Sequence, residues 1–514
     1  MSEAVPLLHD YLHRTAARLP HKVAVTCRDR SVTYGELEGS ANALAHALRR
    51  RGVERGDRVV LFADNTVPVA IAFFGALAAD AVVSVVNPLT KPDKLAYLIN
   101  DCRATALVTD AHLAGVVRPA AARCPSLKAV IATGAMDGAG MPGFSGWDDA
   151  LGPEPRDAPP RRRNIDVDLA ALVYTSGSTG DPKGVMLTHR NMLTAATSIS
   201  TYLGLREDDV IVDVLPLAFD YGLYQLVMSV RQGARLVLER SFAFPAQVLD
   251  AIVAEGVTFL PGVPTLFAAL AEMDLSRWDL GRVRAVTNTA AALHPKHVAA
   301  LRRIFPAARI FSMYGLTECK RVSYVPPEQL DRKIESVGIP IPNTEVWIVD
   351  DDGRRLPPGQ VGQLVVRGAT VMRGYWEKPE ETARKLRPGP VRGEEVLWTG
   401  DLCRMDEEGY LYFVGRMDDI IKTRGEKVAP KEVEAALLAV AGVREAAVVG
   451  VADELLGQAV KAFVVLAPGT SLTPKDLQRH CQARLENFMV PKHVEIVDAL
   501  PRTDTGKIKK TGLR

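Results

Sequence analysis

The first part of the chain alternates between two hydrophobic periodicities. Apolar residues recur at three- and four-residue steps from Leu37 to Leu48, a spacing that predicts an amphipathic helix. Thr33 is a favoured N-cap for this helix, and Gly52 is a favoured terminator. Beyond it the predicted strands are Val59–Phe62, Val82–Val86, Ala106–Thr109, Val210–Val214, Ala234–Leu238, Thr258–Phe259 and Arg284–Val286. Helical patterns at Val67–Ala79 and Pro92–Cys102 separate the early strands, and this alternation predicts parallel sheets with helices on their faces.

Three changes of pattern divide the rest of the chain. Residues 134–166 are rich in glycine, proline and charge, which predicts a loop or linker. From Val346 onward, short alternating strands between Gly/Asp turns predict a β-rich subdomain. After Gly415 the pattern predicts a compact α+β segment with helices at Pro430–Val440 and Thr473–Leu485. We therefore expect an α/β protein whose large N-terminal domain (1–415) combines parallel-rich sheets, helices and the β-rich subdomain, followed by a small C-terminal α+β domain (416–514).

The composition is that of a globular protein. Of the 514 residues, 47% are hydrophobic and 24% are charged, which excludes disorder as the dominant state. The formal net charge of +2 lacks the basic surplus of a nucleic-acid-binding protein. No stretch reaches the ~18–20 apolar residues of a membrane helix, and the first residues lack the apolar run of a secretory signal. The six cysteines are scattered, without a CxxC pair. We expect a cytoplasmic protein with neither nucleic acid nor membrane as a partner.

The sharpest chemical signal is the segment Tyr174–Gly184, which follows a predicted apolar strand. Glycines and hydroxyls after a strand can present successive backbone N–H groups and hydroxyl donors to a phosphate chain. Lys183 adds a mobile positive charge. The segment is not a Walker A loop, because Pro182 stands five residues after Gly177, where that motif has its second glycine. The candidate phosphate-binding residues are Thr175, Ser176, Gly177, Ser178, Thr179, Gly180 and Lys183.

Four further motifs follow along the chain. They are Tyr314–Glu318 (YGLTE), Trp398–Asp401 (WTGD), Gly415–Asp418 (GRMD) and Pro501–Lys507 (PRTDTGK). Together with the phosphate-binding segment they resemble, in sequence and in order, the motifs of the adenylate-forming (AMP-binding) superfamily. That superfamily includes acyl-CoA synthetases, stand-alone adenylation enzymes and luciferases. The resemblance spans nearly the whole chain, and the ordered set is far more specific than any one motif.

The resemblance implies an ATP-dependent enzyme and assigns a role to each motif. Lys507 would bridge the attacking carboxylate and the α-phosphate, and Lys183, Thr317 and Glu318 are the other implied catalytic residues. Glu318 and Thr179 would hold Mg²⁺, which favours a few oxygen ligands beside phosphate. The further nucleotide contacts implied are Tyr314 at adenine, Gly315, Asp401 at the ribose hydroxyls, Arg416 at ribose or phosphate, and the small-residue loop containing Thr289, Ala290 and Ala291.

The same resemblance implies that the small C-terminal domain is mobile. Asp418 lies at the expected hinge, about which this domain would rotate between an adenylation and a thioester-forming orientation. Lys422 and Gly425 would face the active site in the second orientation. The sequence therefore predicts two half-reactions at one site, served by two positions of one domain.

The nature of the acid depends on Asp220. In the acid-binding motif Leu215–Gly222, Phe219 stands where many acyl-CoA synthetases have histidine, and the Phe219–Asp220 pair resembles amino-acid-activating domains. Asp220 either binds a substrate amino group or pairs with Lys320 or Arg321, because an unpaired buried carboxylate would be costly. Arg321 also allows a second carboxylate on the substrate. The residues expected to line the acid pocket are Phe219, Asp220, Tyr221, Tyr224, Pro261, Val286, Asn288, Met313, Arg321 and Val322.

We therefore expect an AMP-forming ligase that activates a small carboxylic or amino acid with ATP and releases pyrophosphate. The acyl group would then pass to CoA. The alternative is a stand-alone amino-acid or β-amino-acid adenylation enzyme that loads the phosphopantetheine of a separate carrier protein. Glu318, Asp401 and Lys507 disfavour a binding protein without turnover, and no sequence feature demands the oxygen chemistry of a luciferase.

Overall fold

The computed structural model describes residues 7–28, 30–175, 182–289, 293, 295–423, 426–453, 455–502 and 508–513. Its strands are β1 (Val23–Cys27), β2 (Arg30–Thr33), β3 (Arg58–Phe62), β4 (Val82–Val86), β5 (Ala106–Asp110), β6 (Ala129–Thr133), β7 (Phe144–Gly146), β8 (Leu169–Thr175), β9 (Lys183–Thr188), β10 (Val210–Asp213), β11 (Arg235–Leu238), β12 (Phe259–Gly262), β13 (Ala285–Asn288), β14 (Arg309–Tyr314), β15 (Ser323–Val325), β16 (Ile339–Pro340), β17 (Thr344–Val349), β18 (Val361–Gly368), β19 (Gly374–Tyr375), β20 (Leu386–Pro388), β21 (Glu395–Met405), β22 (Leu411–Arg416), β23 (Ile421–Thr423), β24 (Glu426–Val428), β25 (Val443–Asp453), β26 (Gly457–Leu466) and β27 (His493–Ile496). Its α-helices are α1 (Asp10–Arg18), α2 (Tyr34–Arg50), α3 (Val67–Ala78), α4 (Pro92–Asp101), α5 (Ala114–Ala121), α6 (Trp147–Leu151), α7 (His189–Leu203), α8 (Asp220–Gln232), α9 (Pro245–Ala254), α10 (Pro264–Ala271), α11 (Pro295–Ile304), α12 (Pro379–Lys385), α13 (Pro430–Leu438) and α14 (Pro474–Gln482).

Two large, mostly parallel sheets contain all the described strands of the first 340 residues, and the later strand β19 joins one of them. One has the strand order β19-β9-β8-β4-β3-β5-β6-β7, in which the pairs from β8 to β7 are parallel and β9 is antiparallel to β8. The other has the order β16-β15-β14-β13-β12-β10-β11-β1-β2, and its central pairs from β14 to β1 are parallel. The predicted parallel sheets with intervening helices are confirmed.

Local sequence explains the packing of helices α2 and α3. Thr33 caps α2 through a capping box with Glu36, as a Ser/Thr-x-x-Glu pattern favours. Helix α3 is apolar on every side, and all its residues are buried, which is the environment such a helix needs. Gly75 allows α3 to lie close to α2, because a Cβ atom there would be 2.9 Å from the carbonyl oxygen of Ala41.

The segment 134–166, predicted to be a loop or linker, is not wholly irregular. It contains the short strand β7 and the one-turn helix α6, whose Trp147 and Leu151 are buried. The Gly-rich composition hid these elements because both are short. Two arginines of this segment form ion pairs with other parts of the first unit, Arg162 with Asp10 and Arg163 with Asp80.

The predicted β-rich and α+β regions are also confirmed. Strands β17, β18 and β21 lie side by side, with β22 antiparallel to β21. Near the C-terminus a sheet of order β24-β23-β26-β25, with β27 beside β26, packs against α13 and α14. Its core includes Val433 and Leu437 of α13 and Leu477 of α14.

The chain forms two compact units. The first comprises Met1–Ile334, Pro340–Glu345 and Arg367–Leu397, and the second comprises Glu335–Ile339, Val346–Val366 and Trp398–Arg514. The boundary at residues 415 and 416 and the rotation about Asp418 stay predictions. Within the described part of the chain, no helix combines the length and apolar character needed to span a bilayer.

Candidate active site

The candidate acid and nucleotide residues of the first unit collect at one edge of the nine-stranded sheet. Strands β12, β13 and β14 are parallel and in register, with Gly262 beside Asn288 and Asn288 beside Ser312. Their carboxyl ends therefore lie together, and helix α8, which begins at Asp220, starts after the neighbouring strand β10. In open α/β sheets this edge is where ligands bind.

The Tyr314–Glu318 motif lies in the turn between β14 and β15. Tyr314 pairs with Ser323 across the two antiparallel strands, and the N–H of Val322 donates to the Tyr314 carbonyl at 2.9 Å. Gly315 is required by this turn, because a Cβ atom there would lie 2.4 Å from the Lys320 carbonyl oxygen. Thr317 and Glu318 lie near the middle of this turn, and the two basic residues Lys320 and Arg321 lie on its return side, shortly before β15.

Glu318 is linked to Lys183, the predicted phosphate-binding lysine, through one aromatic side chain. The Tyr375 hydroxyl donates to Glu318 Oε1 at 2.7 Å, and Lys183 Nζ lies 5.8 Å from the centroid of the Tyr375 ring. Lys183 Nζ is also 3.7 Å from Glu381 Oε1. A carboxylate and an ammonium on either side of Tyr375 suit a nucleotide phosphate with its divalent cation.

The two ends of the phosphate-binding segment are paired. Thr175, the last residue of β8, lies opposite Lys183, the first residue of β9, in an antiparallel ladder. The predicted phosphate contacts between these two ends lie outside the described residues, namely Ser176, Gly177, Ser178, Thr179 and Gly180.

Asp220 has an internal cation. Lys320 Nζ lies 3.5 Å from Asp220 Oδ2, and it donates to the Asp220 carbonyl oxygen at 2.7 Å. The same ammonium lies 4.4 Å from the centroid of the Tyr224 ring. Burial lowers the pKa of Lys320 to about 7, although the Asp220 carboxylate opposes this shift. Of the two alternatives for Asp220, pairing with Lys320 is the one that the structure contains.

Arg321 is buried beside this pair without a carboxylate of its own among the described residues. Its Nη1 donates to the Thr289 hydroxyl at 2.5 Å, and its guanidinium carbon lies 5.5 Å from the Tyr221 ring centroid. The Tyr221 hydroxyl is 2.5 Å from the Thr287 hydroxyl. These contacts join α8 to the end of β13, and so bring part of the predicted acid pocket together.

The other predicted acid-pocket residues lie on the same elements. Pro261 is in β12, Val286 and Asn288 are in β13, Met313 is in β14, and Val322 precedes β15, all of them buried. The Phe219 ring lies edge-on to Tyr221, with 6.3 Å between ring centroids. Ala290 and Ala291 lie outside the described residues.

In the second unit, two predicted ribose-binding residues form an ion pair. Asp401 of β21 lies opposite Arg416 of β22, with Arg416 Nε 3.2 Å from Asp401 Oδ1. The Asp401 side chain is nearly buried, whereas that of Arg416 is 54% exposed. An exposed guanidinium beside a fixed carboxylate can contact a sugar or phosphate from solvent.

The remaining predicted residues of this unit are spread along its strands. Asp418 lies in the 3₁₀ turn after β22, and Lys422 in β23 has an exposed side chain. Gly425 and Lys507 lie outside the described residues. The segment that carries Lys507 is flanked by a β-bridge between Arg502 and Ile508.

Sequence models of known families match most of the chain. The family described as AMP-binding enzyme matches residues 12–376, and the one described as AMP-binding enzyme C-terminal domain matches residues 432–507. The chain belongs to the AMP-binding enzyme family.

Relatives of this AMP-binding enzyme align with it over nearly its full length. The long-chain-fatty-acid–CoA ligase of Bacillus subtilis (strain 168) is 30% identical, with 98% of this chain and 94% of the relative covered. The feruloyl-CoA synthase of Amycolatopsis sp. is 34% identical, with 98% and 97% covered. The solved structure of the anthranilate CoA ligase AuaEII in complex with anthranoyl-AMP has a TM-score of 0.90 at 29% identity, with 99% and 96% covered. This AMP-binding enzyme is an AMP-forming acid–thiol ligase that uses ATP and CoA.

The structure adds three residues to the site of this AMP-binding enzyme. Tyr375 bonds to Glu318, Asp213 is buried near Lys320, and Asn65 holds the loop that precedes Asp220. Burial raises the pKa of Asp213 well above its ordinary value, which favours the neutral acid. None of them belongs to the five motifs, so only the folded chain could have identified them.

Asn65 belongs to the candidate site because its side chain holds the loop that precedes Asp220. Its side-chain Nδ2 donates to the carbonyl oxygens of Leu215 at 2.8 Å and Glu239 at 3.1 Å, and its Oδ1 accepts from the N–H of Leu217 at 2.9 Å. Asn65 follows β3 of the eight-stranded sheet, whereas the loop follows β10 of the nine-stranded sheet. One buried amide therefore joins the two sheets beside the candidate acid pocket.

Proposed function

We propose that this enzyme is a CoA ligase for a carboxylic acid without a required α- or β-amino group. The observation that carries the proposal is the Lys320 ammonium, which lies 3.5 Å from the Asp220 carboxylate. An aspartate that must bind a substrate ammonium would need this position open. Two of the relatives named above support the same class, since their names describe ligases of fatty and ferulic acids, which lack an amino group.

The proposed chemistry has two steps. A carboxylate oxygen attacks the α-phosphorus of ATP, the bond to the β-phosphate breaks, and acyl-AMP and pyrophosphate form. The sulfur of CoA, having lost its proton, then attacks the acyl carbon, and AMP leaves. Both reactants of the first step are anions, so positive groups that approach both of them lower its barrier.

We assign the charge stabilisation to residues of this chain. Lys507 would bridge the carboxylate and the α-phosphate, and Lys183 would bind the phosphates next to Thr317. Glu318 would hold Mg²⁺, because its carboxylate offers the hard oxygen ligand that this ion prefers and the ion would draw negative charge from the phosphates. Asp401 and Arg416 would bind the ribose, and Tyr314 would stack on adenine.

For the thioester step, the small C-terminal domain (416–514) would present different residues. We assign Lys422 and Gly425 to this step and Asp418 to the hinge, as the resemblance implies. The acceptor proposed is CoA itself. A carrier protein is the alternative acceptor, and the product of the reaction distinguishes the two.

ATP–pyrophosphate exchange with paired acids tests the proposal. The pairs are phenylalanine with 3-phenylpropionate, β-alanine with propionate, and anthranilate with benzoate. We expect exchange with acids that lack the amino group, and a CoA ester detectable by mass spectrometry when CoA is added. Exchange that requires the α- or β-amino group would contradict the proposal and restore the amino-acid adenylation alternative.

A further inference from the structure

Arg321 is the largest fully buried side chain of the described residues, with 2% of the residue exposed. One guanidinium nitrogen, Nη1, donates to the Thr289 hydroxyl. The guanidinium carbon lies over the Tyr221 ring, 5.5 Å from the ring centroid. These contacts hold the side chain in place, but neither a hydroxyl nor an aromatic ring neutralises its charge.

A counter-ion for Arg321 is missing from the described part of the chain. No described carboxylate forms an ion pair with it, and its buried Nε has no described hydrogen-bond acceptor. The nearby Asp220 carboxylate is paired with Lys320, and burial favours the neutral form of Asp213. A guanidinium removed from water without an anion is strongly unfavourable, so a residue in this state needs a partner from outside the chain.

The position of Arg321 indicates where this partner comes from. Thr289 follows β13 and Tyr221 lies on α8, so the guanidinium lies between two elements of the candidate acid pocket. Tyr202, which Arg321 also contacts, donates to the sulfur of Met313 at 2.9 Å, and Met313 lies on β14. An acid bound at the carboxyl edge of these strands would meet the guanidinium.

We propose that the acid activated by this enzyme carries a second carboxylate, and that Arg321 binds this second group while the first is adenylated. The proposal rests on the ligase function proposed above. The planar guanidinium matches a carboxylate in shape, and its Nε–H is the donor still to be used. Arg321 would then select for dianionic acids of limited length, because its position within the pocket is fixed by Thr289 and Tyr221.

Matched acids test this specificity. We would measure kcat/KM by ATP–pyrophosphate exchange for succinate and butyrate, glutarate and valerate, and isophthalate and benzoate. The wild-type enzyme should prefer the diacid in at least one pair. Arg321→Met should lower kcat/KM for that diacid by roughly 100-fold, as the loss of one partner of a buried charge pair does. The matched monoacid should change by no more than about threefold, since it leaves that end of the pocket apolar.

Stability supplies a readout that does not depend on turnover. Arg321→Met should keep the Tm of the ligand-free enzyme or raise it, because the substitution removes a buried cation without a counter-ion. The preferred diacid should raise the Tm of the wild type but not that of Arg321→Met. Arg321→Lys keeps the positive charge but loses the planar guanidinium. Its rise in Tm with the diacid should therefore lie between those of the wild type and Arg321→Met.

Three results would overturn the inference. Equal losses for diacid and monoacid in Arg321→Met would mean that Arg321 binds the activated carboxylate or the nucleotide. If the wild type prefers the monoacid in every pair, the proposal that the substrate carries a second carboxylate is contradicted. The same proposal is contradicted if none of the three diacids changes the Tm of the wild type. This holds even if exchange with other acids and CoA ester formation support the ligase function. Absence of exchange with every acid, with diacid-dependent Tm shifts intact, would instead count against the ligase function alone.

Discussion

Lys320 and Arg321 are neighbours in the chain and both are buried, but their electrostatic surroundings differ. Lys320 has the Asp220 carboxylate 3.5 Å away, and Arg321 has a hydroxyl and an aromatic ring. Removing one partner of a buried ion pair leaves the other charge buried without a counter-ion, which destabilises the protein. Removing a buried charge that has no counter-ion eliminates such a cost. The two positions should therefore respond in opposite ways to the same substitution.

Lys320→Met should destabilise the enzyme by about 3 kcal/mol or more, because it leaves the Asp220 carboxylate buried alone. The double variant Asp220→Asn/Lys320→Met should recover most of that loss, since no buried charge then lacks a partner. Urea unfolding at pH 6, below the Lys320 pKa of about 7, measures both values. Additive losses in the double variant would show that the two groups do not depend on each other.

At the scale of elements, strand β19 connects the two halves of the candidate phosphate site. Its Tyr375 lies opposite Val185 of β9, the strand that begins with Lys183, and its hydroxyl bonds to Glu318. A short strand thus sets the spacing between a cation on one sheet and a carboxylate that follows the other. The hydroxyl bonds to Oε1 of Glu318, so Oε2 is the oxygen that we expect to face a cation.

Tyr375→Phe should raise the Mg²⁺ concentration for half-maximal exchange by about 10-fold, because a residue that orients a metal ligand tunes its affinity. The ring remains beside Lys183, so kcat at saturating Mg²⁺ should change little. Tyr412→Phe is the matched control, since Tyr412 bonds to Asp406 at 3.0 Å and belongs to the other unit. An unchanged Mg²⁺ dependence in Tyr375→Phe would exclude a positioning role.

Elements with strong periodicity could be predicted from the sequence almost to the residue. Strand β4 runs over Val82–Val86, as expected, and α2 begins one residue after its cap Thr33. The short elements within residues 134–166 could not be predicted, because three to five residues carry too little periodicity.

For the site, motifs identified candidates within each loop but not the contacts between distant segments. Asp220 and Lys320 are 100 positions apart in the chain. The sequence was therefore equally compatible with a substrate amino group and with an internal cation as the partner of Asp220. Glu318 and Tyr375, separated by 57 positions, present the same difficulty. Pairing of this kind depends on strand order, which local patterns do not contain.

At the scale of the whole molecule, a buried histidine ties the N-terminal segment to the body of the first unit. The Leu8 N–H donates to His189 Nδ1 at 3.0 Å, and Nε2 lies 3.2 Å from the Asn164 side chain. Burial lowers the pKa of His189 to about 4, with Asp168 and Asp166 opposing the shift and Arg162 adding to it. The adjacent His9 ring, 6.0 Å away, is partly buried, and desolvation also lowers its pKa.

This arrangement predicts how stability depends on pH. The His189 pKa is 6.5 unfolded and about 4 folded, so its contribution is complete above pH 6.5 and is lost as the pH falls toward 4. The full effect is roughly 3 kcal/mol. Urea unfolding from pH 7.5 to 4.5 should show this fall, with a shallower slope in His189→Gln, which still offers an acceptor to Leu8.

His13→Gln is the control for this slope, because His13 is exposed and pairs with Glu38 at the surface. Its acid-side slope should equal that of the wild type. A His189→Gln slope as steep as the wild-type slope would assign the acid sensitivity to other groups, with His9 as the first candidate.

The clamp formed by Asn65 has a consequence for how selectivity evolves. Its three partners are main-chain groups of Leu215, Leu217 and Glu239, so the clamp is indifferent to the side chains around it. Replacements in the stretch from residue 213 to 224 can therefore diversify the acid that is accepted while the loop keeps its position. Gly222 is an exception, because a Cβ atom there would lie 2.5 Å from the Pro216 carbonyl oxygen. Insertions or deletions in the same stretch would displace the clamped amides, so lineages that change their acid should do so by replacing residues rather than by changing the length of the loop.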